Sequence, residues 1–288
     1  MHVAPARAVD IDPAAAARIR LTYWWRHGRL PDLADPTAFT ELVQWRKLHD
    51  RDPRLPVMAD KAAMKEIVGD RLGRDWVVPM LWSGTALPDR PVGRGPMVVK
   101  ARHGCNQNAF VHDDAGWRRA GRRAVRWVGV PYGRWLDEWL YTLIPRGILI
   151  EPFIGVDGAL PVDYKFYVFG GHVTHVQVHL DRGGRHRWTV HDRKWIPMVR
   201  DAPVVTRPTA LDAMIAAAEE MGRGFDFVRV DFYQPAARPL FGEMCFYPGS
   251  GLDPFDPPWL DAEMGRLWMA AARRRAAGRD GARDRVAA

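Results

Sequence analysis

Cysteine is scarce in this sequence, and the usual marks of secreted and membrane proteins are missing. The 288 residues include two cysteines, Cys105 and Cys245, which form no CxxC pattern. This argues against a disulfide scaffold or a cysteine-ligated zinc site. No segment reaches the roughly 20 apolar residues of a membrane-spanning helix. Met1 to Asp12 lacks the apolar core of a signal peptide. We therefore expect a cytoplasmic protein.

The overall composition is that of a folded protein with an anionic partner. Hydrophobic residues make up 47% and charged residues 26%, so disorder is not expected. The formal net charge of +8 suits a nucleotide, an acidic glycan, a membrane surface or nucleic acid. Much of it lies in a basic tail, residues 273–288, which we interpret as a solvated or fraying helix rather than a nucleic-acid arm. No nucleic-acid partner is expected.

Residues 1–55 are predicted to be a short helical segment. Asp12-Pro13 begins a helix that ends at Gly28, a second helix covers Phe39–Leu48, and residues 52–56 form a linker. The first helix contains Tyr23-Trp24-Trp25-Arg26. This cluster either packs on the main body or lies at a membrane interface, as a peripheral association.

Residues 56–153 are predicted to form one α+β subdomain. A helix covers residues 59–72, an extended run follows at 77–82, and a basic helix lies near 115–127. Two short apolar strands carry single charged residues: Met97–Ala101 carries Lys100, and Gly147–Pro152 carries Glu151. A polar loop with one glycine, residues 102–108, follows the first of these strands.

Residues 154–272 are predicted to form a second α+β subdomain. Two strands, Asp163–Phe169 and His172–Leu180, flank Gly170-Gly171, which is a hairpin signal. A helix follows, with Thr209 and Asp212 in a capping-box pattern. Strands at 227–233 and 240–247 are joined by a proline-containing turn. Hairpins without strict βαβ alternation indicate an α+β fold.

Two carboxylates on these last strands form a candidate metal site. Asp231 shares a strand face with Arg229 and Tyr233, and Glu243 shares one with Phe241 and Cys245. If the strands pair, both carboxylates can point the same way and hold Mg²⁺ beside a nucleotide phosphate. The alternative is two exposed carboxylates, or ion pairs with nearby arginines.

A glycine turn follows directly, in Tyr247-Pro248-Gly249-Ser250-Gly251. Its successive N–H groups can hold an anion such as a substrate carboxylate, or it is a plain turn. Elsewhere, His175 and His179 share a strand face; zinc is conceivable there, but a polar face is the favoured interpretation.

The spacing of these elements resembles the ATP-grasp ligases, including the D-alanine–D-alanine ligase branch. More narrowly, five phrases in order, within residues 36–270, resemble the TupA-like ATP-grasp proteins of teichuronopeptide and capsular polysaccharide synthesis. The phrases begin at Leu48 (LHDRDP), Ala59 (ADK), Asp163 (DYKFYVF), Phe225 (FDFVRVDFY) and Phe241 (FGE, then YPGSG).

The resemblance implies an ATP-grasp fold, with two α+β subdomains clasping ATP and Mg²⁺. It implies that the nucleotide is contacted by these residues: Lys61, Lys100, Asn108, Glu151, Asp163 and Lys165. Arg182 and Lys165 are the candidate catalytic residues, Asp231 and Glu243 the metal ligands, and Gly249 and Ser250 the substrate-binding residues. Two departures stand out: Cys245 replaces the usual asparagine, and the lid loop keeps a single glycine.

The activity implied is a carboxylate–amine ligase acting through an acylphosphate. Its substrates would be a small carboxylate and an amine, with a uronic-acid glycan, sugar intermediate or peptide as acceptor. A kinase on the same fold and a non-catalytic nucleotide- or glycan-binding protein remain alternatives. Location at the inner membrane face is compatible with this activity.

Overall fold

The structure is a computed structural model that describes residues 11–181, 184, 187–201 and 203–286, with side chains described as far as residue 277. Its α-helices are α1 Pro13–His27, α2 Phe39–His49, α3 Arg54–Ala59, α4 Ala63–Leu72, α5 Asp114–Gly129, α6 Trp139–Thr142, α7 Leu211–Gly222 and α8 Trp259–Val286. Its strands are β1 Trp82–Gly84, β2 Met97–Ala101, β3 Asn108–Val111, β4 Ile148–Pro152, β5 Asp163–Phe169, β6 His172–Leu180, β7 Arg187–Asp192, β8 Phe227–Tyr233 and β9 Leu240–Cys245.

The first half of the chain builds a small antiparallel sheet with strand order β1-β4-β2-β3. Strand alternation gives this sheet one apolar face, on which Val99 and Ile150 pack with Trp117 and Ala120 of α5. Lys100 and Glu151 belong to the opposite face, because Glu151 pairs with Val98, two residues before Lys100. Burying the apolar face under α5 therefore turns the two charged side chains away from that helix.

The second half builds an antiparallel sheet with strand order β7-β6-β5-β8-β9. One face packs against α7, whose residues Leu211, Met214 and Met221 are buried in the main core. The other face carries Lys165, Asp231 and their charged neighbours, since Lys165 pairs with Asp231 and Asp231 pairs with Glu243. The direct pairing of Asp231 with Glu243 is what the strand alternation predicted.

The helical segment before residue 55 shares the core of the larger sheet. Phe39 of α2 lies within 4.9 Å of Phe227 and 5.4 Å of Trp268 between ring centroids. Arg46 is 2% exposed, stacks at 4.3 Å over Trp268 and forms an ion pair with Asp226. The domain boundaries expected at residues 55, 153 and 272 stay predictions.

Three local predictions are wrong. The expected linker at 52–56 contains the start of α3, because Asp52 accepts hydrogen bonds from the N–H groups of Arg54 and Leu55. The helix expected over 59–72 begins only at Ala63, because α3 ends at Ala59 and the Asp60 carboxylate accepts from Ala62 N in the turn between them. The capping box at Thr209 is absent: α7 begins at Leu211 without a side-chain cap.

Other local predictions are confirmed. The hairpin between β5 and β6 turns at Gly170 and Gly171, both with positive φ. Strands were expected where β2, β4, β8 and β9 lie, and the basic helix where α5 lies. Strands β3 and β7 and the long helix α8 were not expected. Across the described residues, no helix combines the length and apolarity that crossing a bilayer requires.

Candidate active site

A cleft between the two sheets brings together charged residues from widely separated parts of the chain. Its cavity volume is about 30 Å³ with the side chains in their present positions, and it is partly open to solvent. Its charged lining residues are Lys61, Lys65, Lys100, Glu151 and Glu243. Apolar side chains complete the walls, among them Met58, Met64, Val77, Val78, Phe241 and Met244. A cleft with apolar walls and converging charges is the usual form of a small-molecule site.

Lys61 lies in the turn between α3 and α4, close to Glu243 of the last strand, β9. Its Nζ donates to Gly104 O at 2.7 Å and lies 3.7 Å from Glu243 Oε2. Burial would lower the pKa of Lys61, but Glu243 and the other acidic groups nearby, Glu151 among them, together outweigh it and the pKa is raised. The ammonium therefore stays charged and faces the cleft, as a phosphate-binding lysine must.

Glu151 holds two lysines at the opposite wall. Its carboxylate lies 2.6 Å from Lys65 Nζ and 2.5 Å from Lys100 Nζ. Burial would raise the pKa of Glu151, but Lys100 and Lys65 outweigh it and the pKa is lowered. In this structure the carboxylate orients cationic side chains; its predicted contact with adenine stays a prediction.

Asp231 is the centre of a buried ion network. Its Oδ2 accepts from Lys165 Nζ at 2.7 Å, and Arg229 donates to both of its oxygens at 2.7 Å. Lys165 Nζ also lies 2.7 Å from Asp163 Oδ2. Burial alone would raise the pKa of Asp231, but Arg229 and Lys165 lower it to about 2. The ion-pair alternative considered for this carboxylate is therefore the arrangement observed.

Glu243 is more accessible to a metal ion than Asp231. Its side chain is 29% exposed and lies 3.3 Å from Arg229 Nη2. Carboxylate oxygens suit Mg²⁺, which commonly takes one or two of them and completes its shell with water and phosphate. No group of three or more His, Cys, Asp or Glu side chains able to hold a metal occurs among the described residues. The donor set fits Mg²⁺ through Glu243; Asp231 would join only if Arg229 or Lys165 moved.

Side chains of α2 hold the glycine turn in place through hydrogen bonds. Gly249, Ser250 and Gly251 all have positive φ, between 54° and 64°. Ser250 O accepts from Lys47 Nζ and Gln44 Nε2, both at 2.8 Å, and Ser250 Oγ lies 2.7 Å from Lys47 Nζ. The Ser250 hydroxyl is thus engaged inside the protein. Gly249 is exposed, so its backbone is the part open to a substrate.

Three further residues were singled out from the sequence: Asn108, Arg182 and Cys245. Asn108 pairs with Lys100 across β2 and β3, which puts it on the lysine's face of the smaller sheet. Arg182 lies outside the described residues. Cys245 is buried beside Arg229, and burial raises its pKa to about 11, so the thiol stays protonated. It is a poor ligand for Mg²⁺.

One family model matches part of the chain. Residues 139–269 match the family model of the TupA-like ATP-grasp proteins. This part of the chain is similar to that family. The match includes β5, β8, β9 and the glycine turn. A comparison with curated proteins gave no match.

The solved structures similar to this chain include ATP-grasp ligases, all at low sequence identity. D-alanine–D-alanine ligase from Bacillus anthracis, complexed with ATP, is 13% identical with a TM-score of 0.47; the alignment covers 77% of this chain and 68% of that one. The ATP-grasp ligase PsnB, with Mg and ADP, is 13% identical with a TM-score of 0.43, covering 82% and 66%. D-cycloserine synthetase DcsG is 16% identical with a TM-score of 0.40, covering 76% and 71%.

Lys65 and Lys47 take part in the candidate site and its support, and neither was singled out from the sequence. The composition of the sequence could have pointed to the lysines. The chain has six lysines among its 42 lysines and arginines, so arginine supplies nearly all of its surface cations. Of the six, only Lys194 is exposed. The other lysines lie in the cleft or in the ion networks around it.

Proposed function

We propose that the protein is an ATP- and Mg²⁺-dependent carboxylate–amine ligase that acts through an acylphosphate. Its acceptor would be a uronic-acid glycan, a sugar intermediate or a peptide, and the reaction would take place in the cytoplasm. The polysaccharide context is supported by the TupA-like match, which covers the strands of the larger sheet.

One observation carries this proposal. Lys61, Lys100, Glu151 and Glu243 come from four separate segments, and all four line the same cleft. Three were expected to contact nucleotide and one to contact metal. Unrelated surface charges would not be expected to converge in this way, since lysine and glutamate are rarely buried unless paired or functional.

The lysines of the cleft would bind and orient the polyphosphate. Lys61 and Lys100 reach it from opposite walls, and Lys65 is held beside Lys100 by their shared partner Glu151. Fixing these cations before the nucleotide arrives avoids reorganisation during phosphoryl transfer. Mg²⁺, when bound at Glu243, would neutralise charge on the phosphate oxygens.

The substrate carboxylate would attack the γ-phosphorus, with ADP leaving, and the amine would then displace phosphate from the acylphosphate. Lys165 lies between Asp163 and Asp231 at 2.7 Å from each. Burial and Arg229 would lower its pKa, but Asp231 and Asp163 outweigh them and the pKa is raised. Lys165 is therefore suited to stabilising charge rather than to accepting a proton.

Trapping the acylphosphate tests the reaction class. The purified protein would be incubated with ATP, Mg²⁺ and a panel of uronic acids and amino acids, with hydroxylamine as the amine. A ligase forms a hydroxamate and releases ADP and phosphate in equal amounts. ADP formation with the phosphate retained on a hydroxyl group would indicate the kinase. Absence of any ATP-dependent product, together with an unchanged melting temperature on adding ATP, would indicate a non-catalytic protein.

A further inference from the structure

Helix α1 has two apolar faces, and no residue in the described part of the chain covers one of them. Ala16, Ile19 and Tyr23 are buried and attach the helix to the body. On the outer side, Leu21 is 64% exposed, Trp24 52% and Trp25 74%. Positions i, i+3 and i+4 lie on one helix face. Packing against the body therefore accounts for Tyr23 but not for the two tryptophans.

A turn with another exposed tryptophan is joined to this helix. Arg18 shares the outer face with Leu21 and Trp25, at i, i+3 and i+7, and forms a two-point contact with Asp137 at 2.6 and 3.2 Å. This contact places the turn Arg134–Leu136 beside α1. Trp135 in that turn is 69% exposed. Three exposed tryptophans thus lie on two elements that are joined directly.

Basic side chains accompany these tryptophans. Arg20 and Arg134 are exposed, and neither has an ion pair with any described residue. Arg26 lies 5.6 Å from the centre of the Trp25 ring. We call Leu21, Trp24, Trp25, Trp135, Arg20 and Arg134 the Trp–Arg surface. Its charge is complementary to an anionic partner, in keeping with the net charge of +8.

The combination of residue types favours a lipid surface over a soluble polyanion. Tryptophan and arginine are the side chains that settle at the boundary between headgroups and acyl chains, with the indole body buried and the cation among phosphates. A polyanion in water would use the arginines but would gain little from Leu21. Burial of the leucine and the tryptophans in an apolar phase is favourable, because it removes their apolar area from water.

We propose that the Trp–Arg surface binds the anionic face of a phospholipid bilayer, with α1 lying along the interface. This binding is independent of the ATP chemistry, because the surface shares no residue with the cleft. It would hold the enzyme peripherally, beside any acceptor that is attached to the same membrane.

Vesicle flotation of the full chain tests the proposal. Vesicles of phosphatidylcholine alone would be compared with vesicles that also contain phosphatidylglycerol. We expect flotation with the anionic vesicles and its loss as salt is raised, because the Arg contribution is screened. The double variant W24S/W25S should bind about tenfold more weakly, and Arg20→Glu about fivefold more weakly. Both should keep the melting temperature of the parent protein.

The matched control is Ile196→Ser, which removes a 57% exposed apolar side chain elsewhere and should bind vesicles like the parent. The proposal is overturned if the parent floats with neither vesicle, or if W24S/W25S floats like the parent. It is also overturned if a soluble acidic glycan or RNA binds in a tryptophan-dependent way and the vesicles do not.

Discussion

Lys61 Nζ lies 3.7 Å from Glu243 Oε2 and joins the segment before α4 to the last strand of the larger sheet. The same ammonium donates to Gly104 O, in the loop after β2. One lysine therefore touches three parts of the chain at the mouth of the cleft. A residue in this position would contact a phosphate bound in the cleft and the candidate metal-binding carboxylate at once.

Replacing Glu243 should abolish catalysis without unfolding the protein. Glu243→Gln removes the accessible metal-binding oxygen while keeping the shape, and we expect ATP-dependent ADP release to fall by about a hundredfold or more. The measurement is a coupled ADP assay at saturating ATP. Glu66→Gln is the matched control, because Glu66 is 65% exposed and pairs only with Arg74; it should keep full activity. Equal activity in the two variants would contradict the assignment of Glu243.

The buried pair Lys47 and Glu138 should behave as a coupled unit. Burial lowers the pKa of Lys47 to about 8 and raises that of Glu138, and each moderates the other. Removing one partner by Lys47→Met should destabilise the fold by about 3–5 kcal/mol, because it leaves an uncompensated buried acid. The double variant with Glu138→Gln should cost less than the sum of the singles, by about 1–3 kcal/mol. Urea unfolding of the four proteins measures this coupling, and strict additivity would contradict it.

The alternation of side chains along a strand predicted which face Asp231 and Glu243 occupy. It could not predict the contacts that these side chains make. Asp231 and Glu243 were expected to share a face because strand side chains alternate, and the register confirms this. The ion pairs of Asp231 with Arg229 and Lys165 depend on side-chain distances within β8 and between β8 and β5, which alternation does not give. The contact between Lys47 and Ser250 is harder still to predict from the sequence, because it joins α2 to a turn 203 residues away.

His175 should make the protein less stable in mild acid. Burial lowers its pKa to about 4, against about 6.5 in the unfolded chain. The unfolded state then binds more protons between these values, so stability is lost as the pH falls from about 6.5 to about 4, by about 3 kcal/mol in all. His175→Gln should flatten that part of the stability–pH curve relative to the parent. His112→Gln, at an exposed position, should leave the slope unchanged; an equal slope in all three proteins would refute the prediction.

Gly251 should tolerate no side chain. Its φ is +64°, and a Cβ there would lie 2.6 Å from Gln44 Nε2 and 2.9 Å from Thr40 O. Gly28 has a similar φ of +68° with nothing within 4 Å of its Cβ position. Gly28→Ala should therefore cost only the left-handed strain, about 1–2 kcal/mol. Gly251→Ala should cost more and should also weaken substrate binding, because the turn at Gly249 would shift. Thermal unfolding and KM values compare the two; equal losses of stability would show that packing of α2 against the turn is unimportant.

The most direct test is a crystal structure of the protein with a non-hydrolysable ATP analogue and Mg²⁺. The account predicts the polyphosphate in the cleft between the two sheets, within hydrogen-bonding distance of Lys61 and Lys100, with Glu243 bound to the metal. An analogue bound elsewhere, or a cleft in which Glu243 keeps Lys61 as its partner and touches neither metal nor phosphate, would contradict it.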